Sequence, residues 1–376
     1  MRAEPHVFHL HSGTGLYGAE QMLLGLIPAL IRRGVESTLL CLDNYRLDEQ
    51  PLYARARRLG IPAQRLPCRG RFDWRTVRAL RRILRAHPNA LLHVHGYKSA
   101  FYAWLACSAG GTPIVSTLHG HVEGTRRLNL YQNLERRLMR GFDRVCIVSA
   151  AMQPALATGG VPSEKIELIE NGVDTGRFRP DIEALSRTAC GVPGDAFVFG
   201  SALRLSAEKN PLGLLDAFAK VLEQLPRCWL VLAGDGPLHA AMLAHACELG
   251  IEGHVRLLGA RDDLEHFYPM LDCFVLPSLT EGLPLALLEA MATARPLVST
   301  AVGQIPKVLS GLRAALVPPG DVEALATAML SACNDNHPVR PDLRQRVLER
   351  YSVARMARDY ATVYRNIRNG NDYAMA

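Results

Sequence analysis

Glu281 and Glu289 stand with seven residues between them in the run Glu281-Gly282-Leu283-Pro284-Leu285-Ala286-Leu287-Leu288-Glu289-Ala290-Met291. Pro284 suits the first position of a helix, where its missing N–H costs nothing and its φ is already helical. On that reading Glu281 projects from the preceding loop and Glu289 sits in the second turn. The helix N-terminus between them carries unpaired N–H groups and a partial positive charge, a seat for phosphate. Two acceptor-only groups flanking an anion site match a ligand with hydroxyls at both ends and phosphate in the middle. A nucleoside diphosphate sugar has that layout.

Two carboxylates would repel a diphosphate unless cations offset them. The run Ser201-Ala202-Leu203-Arg204-Leu205-Ser206-Ala207-Glu208-Lys209-Asn210-Pro211 supplies Arg204 and Lys209. Val198-Phe199-Gly200 reads as the end of a buried strand, which puts both cations on the loop after it. Arginine offers phosphate a planar fork of donors, lysine a mobile point charge. Each charge-assisted hydrogen bond is worth roughly 1.5–3 kcal/mol, and the helix end adds about 0.3–1 kcal/mol. Together they could hold a leaving diphosphate without a metal.

These residues carry a resemblance. EGLPLALLEAM (281–291) resembles the E-x7-E signature of retaining GT-B glycosyltransferases of family 4, and ALRLSAEKNP (202–211) is similar to that family's Arg…Lys diphosphate clamp. NGVD (171–174), AGDGP (233–237) and LLGARDDLEHFYPMLDCFVLPS (257–278) fall where such enzymes have equivalents, in the same order. Many relatives have paired glycines before the Ala19-Glu20 pair; here Tyr17 stands in place of the first, ahead of Gly18.

The resemblance implies an α/β protein of the GT-B class, with two Rossmann-like doubly wound domains facing across a cleft. Residues 1–175 would form the acceptor domain and 176–350 the nucleotide-sugar domain, with a helix in 351–376 returning to the first. It implies retaining transfer from a UDP- or GDP-sugar to a glycan or polyprenyl-linked acceptor in exopolysaccharide or envelope polysaccharide assembly, without a metal cofactor. Glu281, Arg204, Lys209 and His119 would be the catalytic set. Glu289, Gly282, Leu283, Gly234, Gly259, Arg261 and Gly18 would bind the donor. Glu281 would hold sugar hydroxyls and the cationic anomeric centre, and Glu289 the ribose. With no assignable enzyme nucleophile, retention would go by same-face attack, the leaving phosphate taking the acceptor's proton.

At 376 residues the chain can form two domains of ordinary size, each with its own core. Apolar residues make up 48%, which excludes a disordered chain. No run of about 18 uncharged apolar residues appears, and the N-terminus shows no long apolar signal segment. The nine cysteines are scattered, odd in number and free of C-x-x-C. That suits thiols in a reducing cytoplasm better than a disulfide framework or a zinc site.

Charge is uneven: residues 1–180 hold 25 Lys+Arg against 14 Asp+Glu, and the remainder 18 against 22. Part of the excess lies in Arg69, Arg71, Arg75, Arg78, Arg81, Arg82 and Arg85. Trp74, Val77, Leu80 and Leu84 recur among them at helical spacing. Such a helix either lies on anionic lipid at the inner membrane face or presents a solvated charged face over a core stripe. Nucleic acid is disfavoured, since no aromatic-basic interleaving accompanies the arginines.

Short β-rich runs alternate with helical patterns, the signature of parallel sheets with crossover helices. The strands are expected at Val7–Leu10, Ser37–Leu42, Ala63–Leu66, Leu91–Val94, Pro113–Thr117, Arg144–Val148 and Ile166–Ile169. Then come Phe197–Ala202, Trp229–Ala233, Val255–Leu258, Cys273–Pro277, Pro296–Thr300 and Ala314–Val317, with a linker at Asn171–Pro180. Open parallel sheets bind ligands beyond the carboxyl ends of their strands, so Glu281, Arg204 and the Gly234-Asp235-Gly236 turn should converge. Gly234 and Gly236 either contact nucleotide or serve a tight turn, Gly259-Ala260-Arg261 could meet the base through backbone groups, and Asp263 reads as a helix N-cap.

Three H-x-H pairs end predicted strands: His9 with His11, His93 with His95, His119 with His121. A metal-dependent hydrolase is therefore one rival reading, although these segments bring few carboxylates, Glu123 being the nearest. A nucleotide-sugar-binding protein without transfer activity is another; the intact Glu281, Glu289, Arg204 and Lys209 speak against it. By the family resemblance His119, in Ser116-Thr117-Leu118-His119-Gly120, matches the position that reaches the transferred sugar. His95-Gly96-Tyr97-Lys98 reads as an acceptor-facing loop.

Overall fold

The computed structural model describes residues 5–13, 15–44, 50–70, 72–108, 110–119, 126–334 and 339–370, with backbone alone at 44 and 126–130. The chain divides into two compact units: residues 1–171 with 353–376, and residues 172–352.

Unit 1 holds seven strands: β1 (His6–His11), β2 (Ser37–Asn44), β3 (Ala63–Cys68), β4 (Ala90–His95), β5 (Ile114–Leu118), β6 (Arg144–Ile147) and β7 (Ile166–Leu168). Unit 2 holds six: β8 (Phe197–Ala202), β9 (Cys228–Ala233), β10 (Val255–Leu257), β11 (Cys273–Leu276), β12 (Leu297–Thr300) and β13 (Ala315–Val317). Every strand expected from the sequence is present, with ends shifted by at most two residues. Runs such as Phe274-Val275-Leu276 are apolar at every position because helices cover both faces of a parallel sheet.

The sheets run β3-β2-β1-β4-β5-β6-β7 and β10-β9-β8-β11-β12-β13, parallel throughout. Both are doubly wound, and in each the order reverses beside the unit's first strand. Those reversals, between β1 and β4 and between β8 and β11, are where loops diverge and leave a crevice for ligand.

Two cores flank the unit 2 sheet. One packs Phe267, Tyr268, Phe274, Leu287 and Met291; the other packs Phe199, Leu214, Phe218, Val275 and Met329. In unit 1, Leu10, Leu80, Val94, Tyr102 and Phe142 share one core. Helix Val353–Asn369 belongs to unit 1, where Val353 meets Gly25 of helix Gly18–Arg32. Within unit 2, Val173 N donates to Tyr351 O, which holds the two ends of the unit's chain side by side.

Helix Trp74–Ala86 forms as the apolar spacing predicts, capped by Asp73, whose carboxylate accepts Arg75 N–H at 2.9 Å. Its buried stripe differs from the expected one: Thr76, Val77, Leu80, Ile83 and Leu84 are buried, while Trp74 is 55% exposed against Phe72. At the first helical position Trp74 lies before the turn that faces the core. Arg81 is not part of a solvated face either, since it donates to Leu105 O and Ala106 O. Arg71 lies outside the described residues. No helix among the described residues is long and apolar enough to cross a membrane.

Candidate active site

The loop after β8 carries Arg204 and Lys209, and the loop after β11 carries Glu281, so the two flank the reversal of the unit 2 sheet. Lys209 Nζ lies 2.7 Å from Glu281 Oε1. Ser278 Oγ donates to the same oxygen at 2.8 Å. Glu281's side chain is 7% exposed, and among the described residues its Oε2 has no hydrogen bond. One oxygen is thus anchored and the other is open. A backbone bond from Leu279 N to Glu208 O ties the two loops together.

Arg204 is exposed on its loop. Against the effect of burial, Glu208 is held below the usual carboxylate range by the Ser206 hydroxyl and by Lys209 and Arg204 nearby. Asn210, at φ +52, turns the chain from the short 3-10 segment Ala207–Lys209 into helix Pro211–Gln224. Asparagine tolerates that left-handed geometry better than most residues.

Glu289 lies in the second turn of helix Leu285–Ala292, as the spacing predicts. Pro284 does not take the first helical position: its ψ of 124° makes it the N-cap, and Leu285 begins the helix. The cause is local, since Pro284 follows the Glu281-Gly282 turn while still extended. Tyr268 OH donates to Glu289 Oε2 at 2.6 Å. Burial pushes the Glu289 carboxyl above its ordinary value, partly offset by the Tyr268 hydroxyl. Its Oε1 has no hydrogen bond among the described residues, so this carboxylate too is held by one oxygen.

Two glycines shape these loops by close approach. A Cβ on Gly234 (φ +142) would lie 1.8 Å from Leu203 O, and one on Gly303 (φ +56) would lie 2.1 Å from Glu281 O. Gly234 therefore lets the β9 turn press against the Arg204 loop, with Leu203 N bonded to Ala233 O and Leu205 N to Asp235 O. Gly303 does the same beneath Glu281, where Gln304 N donates to Gly282 O. Gly303, Ser278 and Tyr268 escape sequence reading because each acts through a partner brought near by folding.

The remaining residues expected to meet the donor fall as follows. Gly282 has open space around its Cα. Leu283 is buried in the core, which leaves only its backbone for a ligand. Gly259 spends its carbonyl on Gly234 N at 2.7 Å. Arg261 is paired bidentately with Asp263 at 2.8 and 2.6 Å. Asp263 occupies the N-cap position of helix Leu264–Met270 without capping it, because Arg261 holds its carboxylate.

Unit 1 gathers imidazoles at the equivalent place. Strand register sets His9 beside His93 and His11 beside His95. His119, just past β5, has Nε2 2.9 Å from His95 Nδ1, and His95 Nε2 lies 3.5 Å from His9 Nδ1. His93 bonds Tyr364 OH at 2.8 Å and Thr117 Oγ1 at 2.7 Å, and Thr117 Oγ1 meets Tyr360 OH at 3.0 Å. Both tyrosines come from helix Val353–Asn369. His9, His93 and His95 each bring a ring nitrogen to within 4.8 Å of the others, the spacing of a possible ion site. Burial pushes His9 and His119 down to about 3, and His93 and His95 well below the usual imidazole range. His121 and Glu123 lie outside the described residues.

His11 Nε2 lies 2.8 Å from Glu20 Oε1, and Glu20 Oε2 accepts Tyr17 N–H at 3.0 Å. Tyr17, standing where many relatives have glycine, is the exposed N-cap of helix Gly18–Arg32, and Gly18 faces open space.

Family models for "Glycosyltransferase Family 4" and "Glycosyl transferases group 1" match residues 16–177 and 195–335 respectively. The chain is 30% identical over 275 residues to the UDP-Gal:alpha-D-GlcNAc-diphosphoundecaprenol alpha-1,3-galactosyltransferase of Escherichia coli, covering 70% of this chain and 71% of that one. It is 32% identical over 237 residues to a GDP-mannose-dependent alpha-(1-6)-phosphatidylinositol monomannoside mannosyltransferase of Mycolicibacterium smegmatis, covering 60% and 62%. Among solved structures, Anabaena Alr3699/HepE in complex with UDP and glucose superposes with a TM-score of 0.81 at 20% identity, over 96% of this chain and 99% of that one. The sucrose-phosphate synthase of Thermosynechococcus elongatus gives 0.80 at 19% identity, over 98% and 100%.

Proposed function

The chain belongs to glycosyltransferase family 4 and is a glycosyltransferase of the GT-B fold, and we propose that it transfers a sugar, with retention, from a UDP- or GDP-sugar to a lipid-linked or glycan acceptor. The observation that carries this reading is the pair of loops at the β8/β11 reversal, with Lys209 and Arg204 on one and Glu281 on the other. A diphosphate seated there takes Arg204, Lys209 and the N-terminal amides of helix Leu285–Ala292 as its counter-charges.

In this reading Lys209 leaves Glu281 for the phosphate when donor enters. Glu281, its Oε1 still held by Ser278, then offers Oε2 to sugar hydroxyls and to the cationic anomeric centre, while Glu289 Oε1 accepts from ribose. As the C–O bond to the diphosphate breaks, negative charge grows on the departing phosphate. Fixed cations and amide dipoles stabilise that change most, which is where catalytic power comes from. The leaving phosphate oxygen accepts the acceptor's hydroxyl proton on the same face. By its family position His119 is the residue of unit 1 assigned to a substrate oxygen. The chemistry needs no metal cofactor.

The acceptor assignment draws on relatives whose names specify a diphosphoundecaprenol or phosphatidylinositol carrier. The pathway assignment, polysaccharide assembly at the cytoplasmic membrane face, draws on the arginines of helix Trp74–Ala86 and on the first of these relatives.

The deciding experiment incubates the protein with UDP- and GDP-sugars, with and without chelator, and scores release of nucleoside diphosphate. Release from one donor that persists with chelator supports the proposal. Release that stops with chelator defeats its metal-free part, and no release with any donor defeats the whole.

A further inference from the structure

His9, His95 and His119 form a row of contacts that fixes where protons sit. His9 and His95 are fully buried and His119 partly so, and all three are pushed well below the usual imidazole range; each ring is therefore neutral at neutral pH, with one N–H and one lone pair. His95 uses both nitrogens inside the row: Nδ1 toward His119 Nε2 at 2.9 Å and Nε2 toward His9 Nδ1 at 3.5 Å. Only two arrangements satisfy both contacts.

In the first, His9 Nδ1–H donates to His95 Nε2 and His95 Nδ1–H donates to His119 Nε2. The buried His9 Nε2, which has no partner among the described residues, then carries only a lone pair. In the second every proton is on the opposite nitrogen, and His9 Nε2 becomes a buried N–H without an acceptor. His93 cannot rescue it, because both of its nitrogens are already bonded to hydroxyls. Orphaned buried N–H groups are rarer in folded proteins than under-satisfied acceptors, which selects the first arrangement.

We propose that His95 is a positioning residue that holds His119 as the Nδ1–H tautomer, so that the one nitrogen of His119 outside the row is a hydrogen-bond donor. His119 has no other bonded nitrogen among the described residues, and the residue is only partly buried. The consequence is chemical. A ring whose outward nitrogen bears hydrogen can donate to a sugar or phosphate oxygen, but it has no lone pair with which to take a proton from an acceptor hydroxyl. His119 is then excluded as the general base, and its ligand must be an oxygen acting as acceptor. This consequence rests on His119 facing substrate, as proposed above; the tautomer itself does not.

Long-range 1H–15N correlation spectra of histidine-labelled protein read the tautomer directly, with His119→Gln identifying the signal. The wild type should show His119 protonated at Nδ1. His95→Leu should give a mixture of tautomers and lower turnover about tenfold, the worth of one good hydrogen bond. His95→Asn, which keeps a donor near the Nδ1 position, should restore the single tautomer and most of the turnover. A wild-type proton on Nε2 overturns the proposal without any variant, and so does a tautomer unchanged in His95→Leu. If the tautomer is as stated but His119→Ala transfers sugar normally, the substrate-facing reading fails instead.

Discussion

The two sheets reverse their strand order at the same relative position, yet the side chains at the two reversals share almost no chemistry. In unit 2 the loops after β8 and β11 carry charges: Arg204, Lys209 and Glu281, with Glu289 one helix turn beyond. In unit 1 His9, His93 and His95 on β1 and β4, and His119 just past β5, are imidazoles held in the neutral form, and His93 is tied to the hydroxyls of Thr117 and Tyr364. Topology supplies a crevice in both; it does not say what the crevice is for. Fixed charges suit a ligand whose charge changes during reaction, and uncharged donors and acceptors suit hydroxyl-rich ligands that stay neutral. The positive excess of the first half of the chain is carried elsewhere, on residues such as Arg75, Arg78 and Arg82 of helix Trp74–Ala86.

The sharpest way to break this contrast is Glu281→Gln. It keeps the shape and removes the charge, so turnover should fall by about 10²–10³ while donor affinity changes little. Comparable modest losses in both, in steady-state kinetics beside calorimetry, would deny Glu281 a role specific to the transition state.

Next is Arg204→Ala. Losing one charge-assisted contact should weaken binding of free UDP or GDP by roughly tenfold to a hundredfold, measured calorimetrically. Affinity within twofold of wild type would move the diphosphate away from this loop.

Acid should separate the units without mutation. Imidazoles held near 3 in the folded state but titrating at 6.5 when unfolded bind fewer protons folded than unfolded. Unit 1 therefore loses stability as pH falls below 6.5, by up to about 1.4 kcal/mol per pH unit for each ring. Glu289 has the opposite sign: its raised carboxyl contributes stability that is fully present below 4.5 and is lost as pH rises from there through its folded value. Urea unfolding at pH 7 and pH 5, with Trp74 and Trp104 reporting unit 1 and Trp229 unit 2, should show the larger fall in midpoint for unit 1. Equal falls would remove the distinction.

The smallest effect is expected from Arg78→Glu with Arg82→Glu. Association with anionic liposomes should be lost, while turnover on a water-soluble acceptor stays close to wild type. Undiminished sedimentation with vesicles would make this helix an ordinary solvated surface.

The legible part of the molecule is that in which neighbours in sequence act together. Strands such as Leu91–Val94 announce themselves because both faces of a parallel sheet are buried, and Glu281 and Glu289 because one helix sets their spacing. Local rules failed where two of them competed. Asp263 has the residue type of an N-cap, but Arg261, two residues away, offers a charged partner and takes its carboxylate. Trp74 fits a helical stripe by spacing, yet it lies at the helix end, where that stripe faces no core.

The sequence by itself determined the two parallel sheets, the order of their strands along the chain, and the residue types that could meet a diphosphate. Tertiary structure alone decided which oxygen of each carboxylate is held, because Lys209, Ser278 and Tyr268 reach Glu281 and Glu289 from other elements. It also decided that Gly303 must be glycine, and that His93 answers to Tyr364 across 271 residues. Periodicity and propensity act over a few residues, whereas hydrogen-bond partners and close approaches are set by which strands lie side by side.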